Sequence, residues 1–412
     1  MRAVLKVGCG LDVHKRTVTA CLLKRGTRGK LTRETRTFQT TTAELLALAD
    51  WLMENDCQHV AMESTGVYWK PVYNVLEGVC QEVLVVNAQH IKNVPGRKTD
   101  VKDAEWIADL LVHGLLSGSF VPPRPTRELR ELTRYRKRLI QRRADECNRI
   151  QKLLEGGNIK LASVATDILG TSGQAMLEAL AEGEADTSRM AELARGRLRK
   201  KIPELQQALS GVLSDTQRWL LGEQLQQIRQ LDQAIARLDE KIEVLLRPFA
   251  QTIERLSEIP GVSRRVAEVL LAEVGTQMKQ FPSARHLASW AGMCPGQRES
   301  AGKRQSGRMR KGNPWLRATL VEAAWAASHT KQTYLSAQYR NLARRRGTKR
   351  ACLAVGHSIL KIAYHLLADP HTCYVDLGVH YLDLYQRDRL KHDLLRRLHS
   401  LGVRVTIEDE AA

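Results

Sequence analysis

From Leu225 to Leu245 the apolar residues Leu225, Ile228, Leu231, Ile235, Leu238, Ile242 and Leu245 recur at steps of three and four. Few patterns restrict a backbone more. Only an α-helix keeps seven side chains with this spacing on one line. A line that narrow is a helix–helix seam rather than a broad core face, and it predicts a coiled coil. Pro248 closes it, because proline cannot donate the next helical hydrogen bond. The chain's 412 residues suffice for two or three domains, each with a core of its own.

Upstream the rhythm is different. Val4 to Leu11 reads as a strand with Asp12 at its end, Thr17 to Leu23 as a second, and Thr32 to Gln39 as a third with one wet face. Thr42 to Glu54 carries Leu45, Leu46, Leu48, Ala49 and Leu52 at helical spacing behind Thr41 and Thr42 as cap candidates. A short strand from His59 to Met62 ends in Glu63. A helix from Val67 to Val79, a strand from Val83 to Val86 and, after Val94-Pro95-Gly96, an amphipathic helix from Asp100 to Leu116 follow. Three strands, helix, strand, helix, strand, helix predicts an α/β sheet that begins with three antiparallel strands. Val121-Pro122-Pro123-Arg124-Pro125 is a linker. Residues 126–250 read as helical, with short helices over 156–200. Beyond them, helical patterns at Thr252–Glu258 and Arg264–Val274 flank Ile259-Pro260-Gly261-Val262. A polar loop holds Ser300, further helices start near Trp315 and Arg350, and residues 366–412 form a smaller appendage. The expected divisions are 1–120, 121–250 and 251–412.

Charge narrows the function. Lys and Arg number 64 against 45 Asp and Glu, a net charge of +19, which favours a polyanionic partner over a small metabolite. The excess is local. Arg298 to Arg350 holds 14 Lys or Arg and 2 acids, and Arg124 to Lys152 holds 11 and 4. No apolar run reads as long enough to span a membrane, and no signal peptide precedes the first strand, so no membrane partner is expected. The eight cysteines are scattered without a Cys-x-x-Cys pair, which predicts buried thiols rather than disulfides or a zinc site.

Four acids stand out against this basic background. Asp12 and Glu63 each close a predicted strand, and strand ends converge on one edge of an α/β sheet. Asp100 and Asp103, three apart, share one side of a helix. Four clustered carboxylates repel one another unless cations sit among them, and hard oxygen-liking ions such as Mg²⁺ or Mn²⁺ suit them. Two such ions can clamp the attacking and leaving oxygens of a phosphoryl transfer. Singly, each acid also fits a turn or helix-dipole role, and Glu105 and Asp109 lie on the same helix as rivals.

The Ile259-Pro260-Gly261-Val262 turn fits both a helix-hairpin-helix that offers backbone N–H groups to phosphate and a plain helix turn. Pro295 to Asn313 is rich in Gly and cations and nearly free of apolar residues. Gly261, Lys303, Arg304, Arg308, Arg310 and Lys311 are the candidate nucleic-acid contacts, acting chiefly through phosphate. Ser300 and Ser306 are equal candidates for a nucleophile on local chemistry, since either needs activation by a base or a metal. Trp290, Trp315 and Trp325 are of a kind that stacks on bases, but the helical spacing of Leu316, Leu320, Ala324 and Ala327 puts Trp315 and Trp325 in the core.

These residues resemble the insertion-sequence one-ten family of transposases, the bridge-RNA-guided recombinases. The resemblance covers nearly the whole chain. Asp12 lies in Gly10-Leu11-Asp12-Val13-His14-Lys15, Glu63 in Met62-Glu63-Ser64-Thr65-Gly66, and Asp100 and Asp103 in Lys98-Thr99-Asp100-Val101-Lys102-Asp103-Ala104. All four match the family's DEDD tetrad, in a domain of RNase-H/RuvC-like fold. Ile259-Pro260-Gly261-Val262, Phe281-Pro282-Ser283-Ala284, Leu287-Ala288-Ser289-Trp290-Ala291-Gly292, Ser300-Ala301-Gly302-Lys303 and Gly312-Asn313-Pro314-Trp315 match its Tnp domain. The family's nucleophilic serine precedes two small residues and a Lys, which selects Ser300, although many members have Gly where Ala301 stands.

The resemblance implies an RuvC-like nuclease domain, a helical coiled-coil middle and a mainly α Tnp domain with a helix-hairpin-helix. It implies a cytoplasmic, bacterial nucleoid-associated recombinase that cuts and rejoins donor and target DNA through a phosphoserine ester. Mg²⁺ or Mn²⁺ would be held by Asp12, Glu63, Asp100 and Asp103. A structured noncoding guide RNA, and dimers that assemble into a tetramer with composite sites, are implied partners. Two rivals remain at this stage: a metal-dependent RuvC-like nuclease that activates water, and a non-catalytic nucleic-acid-binding scaffold.

Overall fold

A computed structural model describes residues 4–26, 31–64, 66–87, 103–296, 298–300, 303–306, 309, 311–385 and 387–403. They form two compact units, 1–121 and 122–412.

The first unit is built on a five-stranded sheet. Its strands are β1 (Val7–Val13), β2 (Thr17–Arg25), β3 (Leu31–Gln39), β4 (His59–Glu63) and β5 (Glu82–Val86), in the order β3-β2-β1-β4-β5. The first three pair antiparallel, and β4 and β5 add in parallel beside β1. The parallel pairings need crossovers, which are supplied by helices α1 (Thr42–Glu54) and α2 (Trp69–Leu76). A third helix, α3 (Asp103–Val112), covers the opposite face. Strand alternation sorts the core between the two faces. Cys9, Leu11, Val13, Val60 and Met62 pack with Leu48, Leu52, Val72 and Leu76 of α1 and α2. Ala61, Cys21 and Leu23 pack instead with residues of α3. Mixed strands with helices on both faces agree with the RNase-H-like expectation.

The second unit is helical apart from one hairpin among the described residues. Its longest helices are α4 (Arg124–Gly156) and α5 (Asp215–Leu246), and shorter ones fill 161–208. Ser214 and Gln217 form a reciprocal capping box that starts α5. The predicted seam of α5 is buried at Leu225, Ile228, Leu231 and Ile235, and it packs on α4 of the same chain, beside Leu139, Ile150 and Leu154. Ion pairs Arg136–Asp239 and Arg143–Asp232 show that the two helices run antiparallel.

Then come α6 (Ala250–Ser257), α7 (Arg264–Val274), α8 (Ala284–Trp290), α9 (Pro314–His329), α10 (Tyr334–Arg346) and α11 (Thr348–Ala368). Between α8 and α9, β6 (Arg298–Ser300) and β7 (Lys303–Ser306) form an antiparallel hairpin where the composition predicts only a loop. Contrary to the sequence expectation, α11 is long and apolar enough to cross a membrane by length and composition. Its apolarity has a local cause: Val355, Ile359, Leu360 and Ala363 are buried where α8, α9 and α10 surround it. Five of the eight thiols follow expectation: Cys9, Cys21, Cys57, Cys80 and Cys352 are buried, and burial pushes Cys57 up to about 12 and Cys80 up to about 11, whereas Cys147 and Cys294 are half-buried and Cys373 is exposed.

Candidate functional site

Two of the four predicted acids, Asp12 and Glu63, stand side by side on the sheet, and the helix that carries Asp103 packs over the same face. Leu11 of β1 pairs with Met62 of β4 in parallel register, and one residue further along both strands stand Asp12 and Glu63. Register partners leave a sheet on the same face, on strands about 4.8 Å apart. That face is the one covered by α3. A Cβ added to Gly10 would lie 2.3 Å from Ala104 O and Ala108 N, and one added to Gly8 would meet Val112. As β1 advances from Gly8 to Gly10, α3 is therefore read backwards, from Val112 to Ala104. Asp12, two residues on, lies at the level where α3 begins with Asp103. The helix approaches so closely because positions 8 and 10 have no side chains to hold it off.

Asp12 is a quarter exposed, and its Oδ2 lies 3.0 Å from His14 Nε2. Glu63 and Asp103 are half-buried. Asp100 lies outside the described residues, as do Arg308 and Arg310. Among the described residues no three His, Cys, Asp or Glu side chains are gathered into a metal-holding group. The donors at this corner are carboxylate oxygens, with chemistry that fits a hard divalent ion and not a thiophilic one. The rival acids of α3 have other work. Glu105 takes Arg33 Nη1 of β3 at 2.6 Å, and Asp109 faces His113 one turn on.

The serine lies in the second unit. Ser300 pairs with Lys303 as the last rung of the hairpin before residues 301 and 302, whereas Ser306 pairs with Arg298 at the far end. Pro295 and Met309 bridge beneath it. Lys303 and Arg304 are on β7, and Lys311 is exposed just before α9. The Ile259–Val262 turn joins α6 to α7: Val262 N–H donates to Ile259 O at 2.9 Å, and Gly261 has φ +85°. A Cβ at Gly261 would also lie 2.2 Å from Ala323 O, so this glycine serves both the turn and the contact with α9. Ser263 then caps α7 by accepting from Val266 N–H.

One group of residues at the base of the hairpin escaped the sequence reading. Glu273, at the end of α7, is fully buried. Arg134 of α4 grips it with two hydrogen bonds of 2.7 Å, Arg130 adds an ion pair at 3.2 Å, and Asn313 Nδ2 donates to it at 2.6 Å. Asn313 also caps α9, accepting from Trp315 and Leu316 N–H, with Pro314 in the first turn. Arg134 and Arg138 sit over the Trp315 ring, so Trp315 is a half-buried cation platform rather than a plain core residue. Asn before Pro was the available signal for the cap. Nothing in the local sequence marks Glu273, because its partners lie 139 and 40 residues away.

Comparison with known proteins agrees with both units. A family model for the DEDD domain of IS110 transposases, described as a transposase, matches residues 9–159. A second, described as Transposase IS116/IS110/IS902 family, matches residues 253–340. A probable family 20 transposase of Pseudomonas aeruginosa is 26% identical over 324 residues, covering 76% of this chain and 85% of the relative. A putative transposase, y4pF/y4sB, of Sinorhizobium fredii is 28% identical over 319 residues, 75% of this chain and 72% of the relative. A shorter match, 32% over 116 residues and 28% of each chain, is to an uncharacterized 43.6 kDa protein of insertion element IS110 in Streptomyces coelicolor. With the acid corner in one unit, the serine hairpin in the other and a matching model over each, the chain belongs to the IS110 family of transposases.

Proposed function

We propose that this transposase cuts and rejoins donor and target DNA through a covalent ester on Ser300. The observation that carries the reading is the parallel register that sets Asp12 beside Glu63 on the face where α3 starts. Asp12, Glu63, Asp103 and Asp100 would hold Mg²⁺ or Mn²⁺, which when bound supplies charge stabilisation at a phosphodiester. Ser300 Oγ forms the bond to phosphorus, the P–O3′ bond breaks, and the departing oxygen leaves as a 3′-hydroxyl. That hydroxyl, or one on another strand, later attacks the ester and returns Ser300 to its hydroxyl. The ester conserves the phosphodiester bond energy, so no nucleotide triphosphate is consumed.

Lys303, Arg304, Arg308, Arg310 and Lys311 surround the serine in sequence and supply phosphate affinity that falls with salt. The Ile259–Val262 turn offers the backbone N–H groups of a helix-hairpin-helix. Sequence choice is delegated to a guide RNA, as in systems where protein reads shape and pairing reads sequence. Dimers that assemble into a tetramer would bring one chain's serine to another chain's acids.

The test is a denaturing gel of labelled DNA after incubation with protein. Ser300→Ala should abolish the protein-linked strand and leave DNA and RNA binding intact, while Ser306→Ala should retain the adduct. Adducts that persist in Ser300→Ala overturn the assignment. Hydrolysed ends without any linked strand would point to a water-activating nuclease. RNA that co-purifies from the native host should be one defined species encoded beside the gene.

A further inference from the structure

Trp325 is 50% exposed, although the apolar run around it predicts burial. The buried positions of α9 are Leu316, Leu320, Ala323, Ala324 and Ala327, and Trp325 falls on another side of the helix. Its ring is nevertheless held. The His329 ring, one turn on, meets it edge-on with centroids 4.8 Å apart, and Tyr339 of α10 meets it at 6.2 Å and 82°. His329 is itself fixed, its Nδ1 lying 2.9 Å from Trp325 O. An indole held by two ring contacts, with half its surface still in water, keeps aromatic area for another ring.

The surroundings say what kind of ring. No Asp or Glu occurs between Glu322 and Asp369, a stretch with eight Lys or Arg. Arg340 and Arg344 of α10 are exposed beside Tyr339 in sequence. A polyanion that carries flat rings is complementary to both features. A groove of about 560 Å³ on α9, lined by Met309, Arg317, Ala318, Val321, Leu353 and by Glu322, whose carboxylate is paired with Lys137 at 3.0 Å, gives it a path. Ala318, Val321 and Trp325 are spaced i, i+3 and i+7, on one side of the helix, and seven residues span about 10 Å. Met309, at the groove's other end, bridges to Pro295 beneath the Ser300 hairpin.

We propose that Trp325, braced by His329 and Tyr339, is a stacking platform for an unpaired base of single-stranded DNA that leaves the serine hairpin along the α9 groove. The rings hold the base, and Arg340 and Arg344 hold its phosphates. This rests on the reading that the hairpin acts on DNA, but its test requires no cleavage.

The test uses the full chain and the anisotropy of labelled oligothymidylate and of a duplex of equal length. Trp325→Ala should bind the single strand about tenfold more weakly, with the salt dependence and the duplex affinity unchanged. Trp325→Phe should stay within about twofold of the parent protein, because a ring remains. The melting temperature of Trp325→Ala should stay within about 2 °C, as expected for a surface position. In the parent protein, irradiation with a 5-iodouracil oligonucleotide should crosslink Trp325 or Tyr339. Unchanged single-strand affinity in Trp325→Ala, an equal loss on duplex, or crosslinks confined to other residues overturns the proposal. A loss confined to an RNA oligonucleotide overturns the DNA assignment. An absent Ser300 adduct would sink the recombinase reading and leave this result standing.

Discussion

Gly10 shows how much of the acid corner depends on an absent side chain. Asp12 and Glu63 are placed by β pairing, and α3, which carries Asp103, lies over the same face against the bare backbone of β1. Gly10→Ala should destabilise the first unit by about 3 kcal/mol, since the clash is with backbone rather than a movable side-chain end, and calorimetry should show it. A second prediction concerns Asp376. Burial raises its carboxyl pKa, but hydrogen bonds from Tyr334 N–H, Tyr374 O–H and Gly378 N–H outweigh this, and the net shift is downward. A depressed folded pKa means stability that is present above the ordinary carboxylate range, about 3.9, and lost as pH falls towards the folded value. The segment after α11, tied to α10 through Asp376, should therefore gain amide exchange below about pH 4, and Asp376→Asn should show that exchange already at neutral pH. Asp12 and Glu63 could be singled out in the sequence because each follows a short apolar run that reads as a strand, although β1 continues to Val13 and so holds Asp12 within it. The pairing of Glu105 with Arg33, which separates it from Asp103, could not, because it joins residues 72 apart on different elements.

Strands and helices of the first unit were legible to within a few residues, because period-2 and period-3.6 patterns are local. The seam of α5 was legible as a seam, but its occupant was not. Leu225 to Ile235 are covered by α4 of the same chain, and no local pattern says which helix fills a seam. The β6–β7 hairpin was missed for the opposite reason. It has almost no apolar residues to show an alternation. Trp325 was assigned to the core because its neighbours are apolar, yet a helix buries only one stripe. The joint that ties these elements is Glu273, where α4, α7 and the start of α9 share one buried carboxylate. Glu273→Ala leaves two guanidinium groups without their shared anion and should cost about 3–5 kcal/mol. Glu273→Gln keeps the shape and should cost less, which denaturant titration of both variants resolves. Because Asn313 caps α9 at the end of the serine segment, Ser300 chemistry should fall in Glu273→Ala as well.

The chain as a whole joins a carboxylate corner to a cation-rich helical unit. The N-terminal acids suit a divalent ion, and the net charge of +19 suits a polyanion. Neither half would carry the proposed strand exchange by itself: carboxylates without a nucleophile give hydrolysis, and a serine without charge stabilisation is a weak nucleophile. Strand exchange as proposed requires both the acids and Ser300. Peptide mapping of the trapped DNA adduct by mass spectrometry, with Mg²⁺ present and again with it chelated, addresses that requirement. The expected product is a nucleotide on Ser300 that forms with Mg²⁺ and disappears on chelation and in Asp12→Asn and Glu63→Gln. A nucleotide on any other residue, or a Ser300 adduct indifferent to the ion and to both acids, would contradict it.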